Sequence, residues 1–297
     1  MATLRELKTR IGSVASSEKI TGAMKMISSA KVHKFESSLK QLVPYRQQIK
    51  YIMGHILSSG TEFSSPLTDA RKDVANIAVV VFGSDDGLCG AYNINIFKAI
   101  HEEIRKLQDQ YGANVHFDIY PVGKKMEKAW AKAAGAGMKV VHVDGVDSKM
   151  DPEKVNELTH SLRRKFSDHT YDLVSVGYMK YFSMSRQRPA FEQLFPLSME
   201  NLGGDDFDAS EANKLYIFEP DANSIFNAVL PMFVLSTMQE ITIQNRASEQ
   251  AARVMAMQSA NDNAKKLLEE LNLDYNKLRQ ESITTELLDI LGGQVER

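Results

Sequence analysis

The residues best suited to chemistry lie in Gly83-Ser-Asp-Asp-Gly-Leu-Cys-Gly90, a turn-rich segment between an apolar run and a helical pattern. In doubly wound folds this is where a loop cradles phosphate against a helix N-terminus. The spacing here is neither G-x-G-x-x-G nor G-x-x-x-x-G-K-[ST], and Asp85 and Asp86 would set like charge beside a phosphate. The segment is read as a tight structural turn or a contact surface, not as a nucleotide site. Cys89 has no catalytic base in its local sequence and reads as a packed thiol rather than a nucleophile. As the single cysteine it excludes an internal disulfide, which fits a reducing compartment. The histidines (His33, His55, His101, His116, His142, His160 and His169) are scattered without H-E-x-x-H or other ligand spacing. No catalytic residue, cofactor site or metal site is expected.

The elements that hold this loop alternate. Asn76–Gly83, Val115–Gly123, Lys139–Asp144 and Tyr171–Tyr181 are apolar runs rich in Val, Ile and aromatics, each bounded by turn residues. Helical patterns separate them at Ile94–Tyr111, Lys124–Ala134 and Pro152–Phe166. Such alternation argues for an α/β domain with a largely parallel sheet and right-handed crossovers. Leu202–Asn213 reads as an acidic, turn-rich loop and Lys214–Phe218 as a last strand. Asp221 then caps a short helix before Pro231 kinks or interrupts the chain.

Long helices flank this region. Met232–Leu291 contains no glycine or proline, and as one helix it would extend about 90 Å at 1.5 Å per residue. Glu240, Arg246, Glu249, Arg253, Lys265 and Lys266 inside it argue against a membrane span. Ala251, Val254, Met257, Asn261, Ala264, Leu268, Leu271, Tyr275 and Leu278 form a seam at spacings of three and four. Its small and polar members predict close helix approach with modest burial. At the other end Thr3 and Glu6 have capping-box spacing, and Leu4, Leu7, Ile11, Val14, Ile20, Met24, Ile27, Phe35 and Leu39 continue the stripe. Gly12, Gly22 and Pro44 weaken or bend that helix. The expected architecture is α/β: an antiparallel pair of long terminal helices carrying an inserted domain, with boundaries at 1–58, 74–200 and 214–297.

With 297 residues, 43% hydrophobic, 25% charged and a net charge of −2, the chain can bury one good core. Charge is concentrated in residues 1–50, where ten Lys and Arg face three Glu. A transit peptide would share that basicity, but the capping box and the long stripe favour a mature structural helix. The near absence of aromatics before Phe35 disfavours nucleic acid. A solvated face or a match for an acidic partner remains. Met24, Met26, Met255 and Met257 on the long helices fit either core filling or an adaptable contact surface.

Three motifs then carry a resemblance: Ile20-Thr-Gly-Ala-Met-Lys-Met-Ile-Ser-Ser-Ala-Lys31, Ser84-Asp-Asp-Gly-Leu-Cys-Gly-Ala-Tyr-Asn93, and Ala247-Ser-Glu-Gln-Ala-Ala-Arg-Val-Met-Ala-Met257 through Tyr275-Asn-Lys-Leu-Arg-Gln-Glu-Ser-Ile-Thr284. In order and spacing the chain resembles the gamma subunits of F-type ATP synthases over nearly its whole length. The resemblance implies a Rossmann-like domain that binds no nucleotide, inserted in an antiparallel coiled coil that serves as the central rotor shaft. It implies no catalytic residues and no cofactor. Implied partners are the alpha and beta subunits of the catalytic ring, the epsilon subunit and the membrane c ring, with peripheral membrane association at the cytoplasmic face of a bacterial inner membrane and no nucleic acid. By matching motif positions it implies ring contacts for Met24, Lys25, Arg253, Gln280 and Thr284, and an apolar collar around Leu287, Leu288, Ile290 and Leu291. Asp86 departs from the arginine common at its position, where a carboxylate would repel an acidic lever, so that contact is not carried over. Without the resemblance, the rival readings are a nucleotide-dependent oxidoreductase and a basic coiled-coil scaffold or nucleic-acid clamp. The first needs a cofactor loop that Gly83–Gly90 does not supply, and the second predicts salt-sensitive nucleic-acid binding.

Overall fold

The computed structural model describes residues 3–57, 63–112, 114–135, 137–198, 202 and 217–295. Helix α1 (Leu4–Leu57) is followed by β1 (Asn76–Phe82), α2 (Tyr92–Tyr111), β2 (His116–Val122), α3 (Lys124–Ala133), β3 (Met138–Val140), α4 (Pro152–Ser167), β4 (Leu173–Ser183), β5 (Arg186–Phe195) and α5 (Ala222–Val295). The chain divides into two compact units. One joins residues 1–29 to 253–297, and the other comprises residues 30–252.

Within residues 30–252 the strand order is β3-β2-β1-β4-β5. The first four strands are parallel and β5 runs antiparallel to β4. Central β1 shows why both faces must be covered. Ile77, Val79 and Val81 enter one core with Ile96, Ile100 and Ile104 of α2 and Met126 and Trp130 of α3. Ala78, Val80 and Phe82 enter the other, with α4, Met53 and Ile56 of α1, and Phe226, Leu230 and Val234 of α5. This period-two partition is the signature of a doubly covered parallel strand. The three α2 isoleucines recur every four residues and are fully buried, each worth about 2 kcal/mol of burial. They lie so close to the sheet that a Cβ on Gly177 would come within 2.3 Å of Ile100 Cδ1. Glycine there is a packing requirement.

Within residues 1–29 and 253–297 the helices form the antiparallel coiled coil. The α1 capping box closes reciprocally: the Thr3 amide donates to Glu6 Oε2 at 2.8 Å and the Glu6 amide to Thr3 Oγ1 at 3.3 Å. Asn261 donates to the Glu18 carbonyl at 2.7 Å and to Thr21 Oγ1 at 3.3 Å, fixing one polar rung of the seam. The α5 seam is inward as expected, with Met257, Asn261 and Leu271 buried.

The α1 stripe differs from expectation. Ile20 and Ile27 are 59% and 58% exposed, whereas Glu18, Thr21, Lys25 and Ser28 continue the inward row from Leu7, Ile11 and Val14. A strict seven-residue repeat runs through these polar positions, and hydrophobicity alone misplaced the face. Asp221 does cap its helix, accepting the Ser224 amide at 2.9 Å, but the helix is not short: α5 continues through Pro231. One stretch of α5 is apolar enough by composition to cross a membrane, and half of it is buried within the protein, in keeping with the Phe226, Leu230 and Val234 side chains it lends to the core. The third strand is the short Met138–Val140 rather than Lys139–Asp144. Strand β5 was not expected, because its sequence, with Pro189 and few alternating apolar residues, is that of an edge. The anticipated acidic loop over Leu202–Asn213 and strand at Lys214–Phe218 fall largely outside the described residues.

Candidate functional site

The loop after β1 is held by its own side chains. The Ser84 amide donates to Asn93 Oδ1 at 3.1 Å, Asn93 Nδ2 donates to Ser84 Oγ at 2.8 Å, and Ser84 Oγ donates to the Asp86 carbonyl at 2.8 Å. Cys89 is buried, with Asn93 Nδ2 at 3.5 Å and Ser84 Oγ at 3.8 Å, neutral groups that hold the thiol in place. Asp85 is a structural tie. Its Oδ1 accepts the Lys124 amide at the start of α3 at 3.0 Å, and its Oδ2 accepts the Ser148 amide and hydroxyl at 3.2 and 2.7 Å. A carboxylate at a helix N-terminus is favoured by the exposed amides and the helix dipole. Gly123 sits at φ 102°, where a Cβ would lie 2.9 Å from the Ser84 carbonyl carbon. These bonds tie the loop to the start of α3 and to Ser148.

Asp86 and Leu88 are the exposed side chains of the loop. Leu88 takes φ 64°, unusual for a non-glycine residue, and is 60% exposed. Asp86 lies 3.0 Å from Lys149 Nζ, and this hydrogen bond, together with the attraction of the carboxylate, raises the Lys149 pKa. The acidity introduced at Asp86 is thus offset within the chain by a cation from the segment before α4.

Of the polar residues of α5 that secure this region, Arg246 stands out in the sequence only as a charge, Ser248 only within a motif, and Asn245 not at all. Asn245 is 1% exposed and joins three elements: its Oδ1 accepts the Tyr92 hydroxyl at 2.7 Å and the Met179 amide at 3.2 Å, and its Nδ2 donates to the Gly83 carbonyl at 3.3 Å. Arg246 donates through Nε to the Ser148 carbonyl at 2.8 Å and through its terminal nitrogen to the Met150 carbonyl, while burial lowers its pKa. Ser248 donates to the Met179 carbonyl at 2.9 Å. The available signal was the cluster of polar residues in Gln244–Gln250 directly after the apolar stretch Ile225–Ile243, a pattern that requires partners once buried.

The residues implicated as partner contacts are dispersed. Met24 and Lys25 on α1 are half-buried, Gln280 and Thr284 are exposed on α5, and the Thr284 hydroxyl is turned back to the Gln280 carbonyl at 2.8 Å. Arg253 is 6% exposed, so its guanidinium is not presented as an open surface group. Leu287 and Leu291 are 55% and 60% exposed, with Leu288 and Ile290 between them also open. Among the described residues, no group of three or more His, Cys, Asp or Glu is arranged to hold a metal ion. At the surface, His142 Nδ1 lies 3.0 Å from Glu127 and its Nε2 lies 3.3 Å from Asp144.

A family model described as ATP synthase matches residues 3–295. The ATP synthase gamma chain of Parabacteroides distasonis is 37% identical over 293 residues, spanning 99% of this chain and 98% of its own. That of Bacteroides fragilis is 35% identical over 299 residues, covering 99% and 100% respectively. The chain belongs to the ATP synthase gamma family. A gamma chain is a noncatalytic subunit and the central rotor of its enzyme. Solved structures share the gamma fold at lower identity. A chain of the Euglena gracilis mitochondrial ATP synthase in a structure of OSCP, F1 and c ring superposes with TM-score 0.62 at 19% identity, covering 98% of this chain and 93% of that one. One from the central stalk and c ring of the Tetrahymena thermophila mitochondrial enzyme does so with TM-score 0.53 at 20% identity, over 81% and 99%.

Proposed function

We propose that this gamma chain turns within a ring of alpha and beta subunits, with its α/β part bearing on the epsilon subunit and the c ring at the cytoplasmic face of a bacterial inner membrane. Residues 1–29 and 253–297 supply the shaft, and residues 30–252, which include the rest of both long helices, supply the seat. The observation that carries this reading is the run Leu287, Leu288, Ile290 and Leu291, all more than half exposed at the end of a helix whose earlier seam is buried. Such a run needs an apolar sleeve. Met24, Lys25, Gln280, Thr284 and Arg253 contribute ring contacts, Arg253 through the small part of its surface left open.

Rotation needs no catalytic group in the shaft. An asymmetric shaft presents different residues to each beta subunit at each angle and biases that subunit between open and closed states through differential contacts. Linkage makes the coupling reciprocal, so nucleotide binding turns the shaft and a turned shaft changes nucleotide affinity.

The test is reconstitution of purified alpha and beta subunits with and without the chain, reading steady-state ATP hydrolysis and complex mass together. One copy joining each hexamer with a large gain in turnover is expected. Failure to join under conditions where another gamma chain does would sink the proposal.

A further inference from the structure

A cavity of about 520 Å³ lies within residues 30–252, between α1, the β4–β5 hairpin and α5. Its walls hold three cations, Arg46, Lys50 and Lys180, against two carboxylates, Glu192 and Glu240, leaving one net positive charge. Glu240 and Gln244 form a buried wall at 5% and 9% exposure. Gln244 Nε2 donates to Glu240 Oε1 at 2.7 Å, which leaves Gln244 Oε1 without a partner. Arg46 Nε approaches Glu240 Oε2 at 2.9 Å, but neither atom makes an aligned hydrogen bond. Of the five buried side-chain atoms without a hydrogen bond among the described residues, three are thus on residues lining this cavity. Buried polar atoms left open in this way call for a ligand or ordered water.

The open atoms define what would satisfy them. Gln244 Oε1 needs a donor, the Arg46–Glu240 ion pair is held without an aligned hydrogen bond, and half-buried Lys50, which has no ion pair among the described residues, needs an anion. A metal ion or amine would meet three cations. Sulfate would serve the cations but would set lone pairs against the glutamine and glutamate oxygens, having no proton to give at neutral pH. We propose that this cavity binds inorganic phosphate, whose P–OH donates to the Gln244–Glu240 wall while its other oxygens accept from Arg46 and Lys50. Lys180, held 3.7 Å from Glu192, supports the field at the rim. The acceptor wall makes the site selective for a protonated oxyanion.

The test titrates the full-length chain with inorganic phosphate and with sulfate at matched ionic strength, following phosphorus NMR line width and the thermal midpoint. Saturable broadening and a midpoint that rises in phosphate but not in sulfate are expected. Lys50→Met should weaken phosphate binding at least tenfold while leaving the midpoint in phosphate-free buffer unchanged, and Gln244→Met should abolish the preference for phosphate over sulfate. Equal responses to the two ions, absence of saturable broadening, or wild-type titration by the Lys50 variant would each overturn the proposal. Should Gln244→Met fail to fold, the Lys50 variant and the sulfate comparison decide it.

Discussion

Asp172 shows how one carboxylate can organise the start of the sheet. Its Oδ2 accepts the Ala75 and Asn76 amides, both at 2.9 Å, and its Oδ1 pairs with Arg71 at 2.9 Å, while Arg71 also donates to the Phe166 and Tyr171 carbonyls. Burial alone would raise its pKa, but the two amides and the guanidinium together outweigh it and the net shift is downward. A lowered folded pKa contributes stability that is present above the unfolded value and is lost as pH falls through the folded one. Asp172→Asn should therefore cost about 2 kcal/mol at neutral pH by removing the charged partner of half-buried Arg71, which keeps its two carbonyl acceptors. In urea titrations the gap between wild type and variant should narrow as pH falls below the ordinary aspartate value of 3.8. Asn245→Ala should cost about 2 kcal/mol by stranding the Met179 amide and the Gly83 carbonyl, while the Tyr92 hydroxyl keeps the backbone carbonyl of residue 245 at 3.2 Å; Tyr92→Phe should cost about half as much. Denaturant midpoints of the two variants check the order. Neither Asp172 nor Asn245 was legible in the sequence, because each acts on groups at least sixty residues away in the chain. What could be read was local: the Thr3–Glu6 box, the Asp221 cap and the misfit of Gly83–Gly90 to a phosphate loop.

At the scale of elements, glycines separate helix propensity from packing. Gly12 in α1 has open space where a Cβ would stand, while a Cβ on Gly22 would lie 3.4 Å from Asn261 Nδ2. Gly12→Ala should thus stabilise the helix by about 1 kcal/mol. Gly22→Ala should gain less, since its methyl group presses on the polar rung. Gly177→Ala should lose about 2 kcal/mol, because the methyl group would drive Ile100 out of its place between α2 and β4. Thermal midpoints of the three variants should rank Gly12→Ala highest and Gly177→Ala lowest. The same contrast explains which elements the sequence disclosed. Strands β1, β2 and β4 are buried on both faces and so read as continuous apolar runs, whereas β5 at the edge is packed on fewer sides and carries Arg186, Arg188 and Pro189. On α1 the inward row passes through Glu18, Thr21, Lys25 and Ser28, so a search for apolar residues selected Ile20 and Ile27, which face out.

For the whole molecule, the family was legible because its motifs are long and ordered, while composition alone left a rotor, an oxidoreductase and a scaffold all open. A residue kept for a partner and a residue kept for the fold differ in one respect: only the second lowers the stability of the free chain when it is removed. Leu287 and Leu291 are 55% and 60% exposed, so replacing both by serine should change the unfolding free energy of the free chain by no more than about 0.5 kcal/mol. If an apolar sleeve surrounds this end of α5, the same double variant should bind the alpha–beta ring more weakly and give a smaller gain in ATP hydrolysis, because two side chains that would be desolvated there are lost. Arg253→Ala is the counterpart. With Arg253 6% exposed, removal of its side chain should lower both the thermal midpoint of the free chain and the turnover of the assembled enzyme. Midpoints of the free chains, read beside the turnover of the reconstituted complexes, separate the two classes. A serine variant that melts early would show that the exposed leucines serve the fold, and one that melts normally but supports full turnover would remove them from the ring contact.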